Sequence, residues 1–135
     1  MCENELMSQL LERLRAIDQC IAEGSVLVRT PAEDREELQR ALADLDVRRE
    51  ARLDKLEQFL ADHEDDLSAS SSGRQVDVAR GLLDAVMRIR AVRLLANARD
   101  DWSSEFYWDL YYIENRLAYA ALRELDPQAA PRPHM

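Results

Sequence analysis

Charged side chains interrupt apolar helical seams in this chain, and they are the residues best placed to do chemistry. The leucines Leu38, Leu42, Leu45, Leu53, Leu56 and Leu60 recur at helical spacing, broken in the middle by Arg49 and Arg52. Further on, Leu82, Val86 and Ile89 lead to Arg93, while Ala79, Leu83 and Val86 lead to Arg90. Near the C-terminus, Phe106, Leu110, Ile113, Leu117, Ala121 and Leu125 share a face with Glu114. A guanidinium removed from water costs several kcal/mol unless paired. Two arrangements answer that cost. One is a buried polar layer of Arg49, Arg52, Arg90, Arg93 and Glu114, with Glu114 pairing Arg49, Arg90 or Arg93 and setting helix register. The other is an anion pocket inside a helical bundle.

A second pattern lies on the opposite side of the same C-terminal segment. Trp108, Tyr112, Asn115 and Tyr119 recur at 4-3-4 spacing beside Glu105, Arg116 and Arg123. Trp, Tyr and Arg dominate binding hot spots. The stripe therefore predicts either core packing of a central helix or a contact surface, for a partner or a second copy, carried by Trp108, Tyr112, Tyr119, Arg116 and Arg123.

Catalytic and metal-binding sets are poorly represented. His63 and His134 are the two histidines, and neither falls in a Ser-His or Cys-His relay. No Glu-x-x-His pair or glycine-rich phosphate loop occurs. Asp62, Glu64, Asp65 and Asp66 surround His63, but consecutive residues on a helix end radiate apart and cannot converge on one ion. Cys2 and Cys20 are isolated, with neither zinc nor disulfide spacing. No metal or other cofactor is expected.

These residues must be positioned by helices. Apolar residues make up 47% of the 135 positions against 3 Gly and 4 Pro, a balance that favours long helices. Four segments can be read. The first runs from about Glu3 to Glu23 on Leu6, Leu10, Leu14, Ile17 and Ile21, broadened by Met7 and Leu11, and is expected to stop at Gly24-Ser25. Thr30-Pro31-Ala32-Glu33 reads as an N-cap, a first-turn proline and a capping-box glutamate. The helix it opens meets no breaker before Ser68, so it would span 31–66, about 54 Å at 1.5 Å per residue and much longer than the rest. Ser68 to Gly73 is a small-residue connector, and a third helix follows from Arg74 to Arg99. Asp100 or Asp101 is positioned to cap a fourth, which Asp126-Pro127 stops near Leu125. The expected fold is an all-α four-helix bundle in a single domain, 1–126, dimeric, with a disordered tail over 127–135.

The net charge of −9 is opposite to the basic footprint of a nucleic-acid binder. Acid concentrates in 31–66 and 100–126, whereas 74–99 are basic. The acidic back of the second helix, with Glu36, Asp44, Asp46, Glu50, Asp54 and Glu57, is read as a solvated face or as a nucleic-acid mimic aimed at a basic partner. The acidic N-terminus lacks signal-peptide character, and no apolar run is long enough to span a bilayer. The expectation is a cytoplasmic protein of bacterial type that does not contact membranes.

One segment is similar to an enzyme family. Leu14-Arg15-Ala16-Ile17-Asp18 resembles the opening helix of the all-α chorismate mutases, with Arg29 and Arg35-Glu36 near where further arginines of that family fall. The resemblance implies a helical enzyme using arginines and a lysine. It covers barely a quarter of the chain, Gly24 and Thr30-Pro31 interrupt what should be one long helix, and the single lysine is Lys55. Small size, acidity, the aromatic stripe and the missing catalytic sets point instead to a non-enzymatic protein-binding protein. The role expected is stoichiometric occlusion of a partner, as an inhibitor, immunity protein or anti-activator. A secretion or assembly chaperone and a self-assembling structural protein are the alternatives.

Overall fold

The structure is a computed structural model that describes residues 3–29, 31, 33–69, 74–97 and 104–129. Every element among them is an α-helix: α1 (Glu3–Arg29), α2 (Arg35–Asp62), α3 (Glu64–Ser68), α4 (Arg74–Asn97) and α5 (Ser104–Leu125). They divide into two compact units, residues 1–64 and 65–135. The first is built on the α1·α2 pair and the second on the α4·α5 pair.

In the first unit, α1 buries Leu6, Leu10, Leu14, Ile17, Cys20 and Ile21, the stripe its spacing predicts plus one thiol. Met7 and Leu11 are half-buried at its edge. Gly24-Ser25 does not end this helix, which continues to Arg29. A mid-helix glycine costs about 1 kcal/mol relative to alanine. Here the missing Cβ leaves room for α2, because a methyl at Gly24 would come within 3.2 Å of Leu45 Cδ2.

The start of α2 also differs from expectation. Thr30 and Ala32, two residues of the expected cap, lie outside the described residues, and Pro31 precedes the helix. The N-cap is Asp34, extended at φ −120° and ψ 112°, whose carboxylate accepts from the backbone N–H groups of Glu36 (2.9 Å) and Glu37 (3.2 Å). An aspartate also favours the positive end of the helix dipole.

The long helix expected over 31–66 is interrupted at His63. That residue leaves helical geometry at φ −118° and ψ 21°, its N–H still bonded to Phe59 O, and the five-residue α3 follows. Its ring packs 4.6 Å from the Phe59 ring. With 28 residues, α2 barely exceeds the 27 of α1. The buried face of α2 is Leu45, Arg49, Leu53, Leu56 and Phe59. Leu38, Leu42 and Leu60 are only half-buried. Phe59, off the leucine stripe, lies in the core with the Arg13 guanidinium 4.4 Å from its ring centroid.

In the second unit, α4 buries Val76, Ala79, Leu83, Val86, Arg90, Arg93 and Ala96. Residues 98–103, including the Asp100 and Asp101 expected to cap the last helix, lie outside the described residues. At its far end α5 closes on Asp126, whose N–H bonds Leu122 O at 2.7 Å. Pro127 to Ala129 form a turn on that aspartate, through Ala129 N–H to its carbonyl and Gln128 N–H to its carboxylate. No helix is long and apolar enough to cross a membrane among the described residues.

Candidate functional site

The buried face of α5 is rotated from the one its large apolar residues predict. Phe106 and Ile113 are exposed and Leu110 and Leu117 half-buried, while Glu114, Asn115, Ala118, Ala121 and Leu122 are buried. Tyr107, Tyr111, Glu114, Ala118, Ala121 and Leu125 form a 4-3-4-3-4 stripe of their own. Two alanines in that stripe permit a close backbone approach, and one carboxylate requires a cation.

The cation is Arg93. Its side chain is 1% exposed and that of Glu114 is 0% exposed. The guanidinium grips the carboxylate with two bonds, Nε to Oε2 at 2.6 Å and Nη2 to Oε1 at 3.1 Å. Its Nη1 donates to the Tyr107 hydroxyl at 2.9 Å. The Tyr107 and Tyr111 rings lie 5.2 and 5.6 Å from the guanidinium carbon. This forked geometry, closed over by aromatic rings, is one that arginine provides and lysine does not. It joins α4 to α5 at one register.

The other arginines proposed for a polar layer are buried or half-buried on α2 and α4. Arg90 is buried on α4, on the same side as Leu83 and Val86. In the first unit, Arg49 is buried and bonds Glu50 at 3.0 Å. Arg52 is half-buried, and its Nη1 donates to Ala16 O at 2.6 Å and to Cys20 Sγ at 3.1 Å, tying α2 to α1. Burial pushes the Cys20 thiol above its ordinary value, with the nearby Arg52 charge partly opposing it. One turn earlier, Arg48 pairs with Glu23 of α1 at 3.0 Å. Its Nε lies 3.2 Å from Asp44 Oδ2 but without hydrogen-bond alignment, so Nε itself is unsatisfied.

The aromatic stripe faces outward. Trp108 is 43% exposed and Tyr112 56% exposed, Arg116 and Arg123 are exposed, and Tyr119 is half-buried. Asn115, read with the same stripe, is buried at its inner edge. The aromatic rings support one another: Trp108 meets Tyr107 and Tyr111 edge-on at 5.2 and 5.0 Å and lies 6.3 Å from Tyr112. An aromatic chain therefore leads from the buried Arg93 to the exposed ring of Tyr112. Sequence spacing did not flag Tyr107 and Tyr111 as the link. Their recurrence with Glu114 at 4-3 spacing is the signal that identifies it.

Three arginines carry the enzyme resemblance. Arg15, Arg29 and Arg35 are all exposed, although α1 passes unbroken through Gly24. Asp62, Glu64, Asp65 and Asp66 are exposed as well, and among the described residues no three His, Cys, Asp or Glu side chains group to hold a metal. Cys2 and His134 lie outside the described residues. The chain matches no family model, no curated protein and no solved structure.

Proposed function

We propose that this chain is a non-enzymatic protein-binding protein that works by stoichiometric occlusion of a partner's functional surface, with the outward face of α5 as its contact. The observation that carries the reading is the exposure of Trp108 and Tyr112 on a helix whose opposite side is already buried. Large aromatics left in water lose the stabilisation that burial would give them, and clusters of such residues with arginine supply most of the energy at protein interfaces. Two features make the surface suited to binding. The rings brace one another, so little side-chain freedom is lost on contact, and the Arg93–Glu114 clamp holds α5 in one orientation beneath them. Arg116 and Arg123 add a charged border that selects for acidic groups on a target.

The test is affinity capture from the protein's own cells, comparing the wild-type chain with Trp108→Ala/Tyr112→Ala at matched expression. The expected result is one folded protein recovered stoichiometrically by the wild type and lost with the double variant. Equal recovery by both forms would move the contact off α5.

A further inference from the structure

We infer that the outward face of α5 pairs antiparallel with the same face of a second copy of this chain, Glu105 and Asp109 of each copy meeting Arg116 and Arg123 of the other. The inference rests on the reading of this face as a contact surface and names its occupant when no target is bound.

Glu105 and Arg123 are 18 residues apart, about five turns at 3.6 residues per turn, and so point the same way. Arg116 lies about 20° and Asp109 about 40° from that direction. All four side chains are exposed, and among the described residues none of them has an ion-pair partner. Both acids sit toward the N-terminal end of the face and both bases toward its C-terminal end, the order that suits the dipole of α5 itself.

That polarity restricts what can lie against the face. A parallel copy would set acid against acid and base against base. An antiparallel copy, related by a two-fold axis near the level of Ile113, sets Glu105 opposite Arg123 and Asp109 opposite Arg116 on both sides of the axis. The same register brings Trp108 of each copy toward Tyr119 of the other, with Tyr112 near the axis. The contact is therefore self-complementary in both charge and apolar surface, as an isologous interface must be. The helix dipoles also run in opposed, favourable directions. A target that uses this face must displace the second copy, so self-association and target binding compete.

Charge reversal in two complementary variants of the full chain tests this, with light scattering and sedimentation over a range of concentrations. One variant is Arg116→Glu/Arg123→Glu, the other Glu105→Arg/Asp109→Arg, and circular dichroism checks that each keeps its helix content. The wild type is expected to dimerise, and each variant alone to self-associate at least about tenfold more weakly. An equimolar mixture of the two is expected to recover a heterodimer, since acid then faces base along the whole seam. A wild type that stays monomeric, variants that dimerise as the wild type does, or a mixture that stays monomeric would each overturn the inference. The occlusion reading stands or falls separately: a monomeric wild type that still captures a target through Trp108 and Tyr112 keeps it, and a dimer that captures none removes it.

Discussion

Arg93 and Glu114, 21 positions apart in sequence, are joined by two hydrogen bonds in a site from which both side chains exclude water. Neither charge is tolerable there alone. Removing one partner of a buried pair costs about 3–5 kcal/mol, whereas replacing both with apolar groups of similar volume is often neutral. Glu114→Gln is therefore expected to destabilise the protein by about 3 kcal/mol or more, and Arg93→Met/Glu114→Leu by much less. Denaturant unfolding of the two single variants and the double variant measures the coupling. An unchanged midpoint for Glu114→Gln would remove this pair as the element fixing the α4–α5 register.

The Tyr107 hydroxyl accepts a hydrogen bond from Arg93 Nη1 at 2.9 Å. Tyr107→Phe keeps the ring over the guanidinium and deletes only that bond to a charged donor, for an expected loss of about 1.5 kcal/mol. The same denaturant curves read it. In the Glu114→Gln background the loss should change, because both groups serve one guanidinium.

Trp108 and Tyr112 should matter little for folding. Half their surface is already in water, so Trp108→Ala and Tyr112→Ala are each expected to cost no more than about 1 kcal/mol, close to the range of surface substitutions. Thermal unfolding beside the binding measurement separates the roles. A large fall in melting temperature with no change in binding or oligomeric state would make the stripe part of the core.

Cys20 is buried against Arg52, and its thiol titrates above the ordinary value of 9.0. In a Cys2→Ser background, thiol reagents are expected to label it slowly in the native protein and quickly once the chain unfolds. The pH effect has a definite sign. Below the unfolded pKa the thiol is protonated in both states and adds no pH dependence. As pH rises beyond that value, the unfolded chain loses its proton first, so this group's contribution to stability declines in alkaline solution. Comparing unfolding midpoints of this form with a Cys20→Ala form from neutral to alkaline pH isolates the effect.

Two helical glycines should respond differently to alanine. A Cβ at Gly81 would meet nothing within 4 Å, so Gly81→Ala is expected to stabilise α4 by about 0.5–1 kcal/mol through propensity alone. At Gly24 the same gain is offset by crowding against Leu45 Cδ2, and the net benefit should be smaller. A rise in melting temperature for Gly24→Ala equal to that for Gly81→Ala would show that Leu45 yields without cost.

The amino-acid sequence by itself determined the helical class and the core stripe of α1, because both follow from spacing along one element. It also narrowed the partners of Glu114 to three arginines, since a buried carboxylate needs a cation and few were available on apolar faces. Tertiary structure decided the rest. Gly24 is helical, with Leu45 of another helix close to where its Cβ would stand, and α2 breaks at His63 despite the absence of a glycine or proline there. The rotation of α5 was beyond a reading of single-helix amphipathicity. Tyr107, Glu114 and two alanines present less apolar area than Phe106 and Ile113, yet they face inward. A paired ion and a close backbone contact have value only once the neighbouring helix is in place, and no count of hydrophobic residues along one helix contains that neighbour.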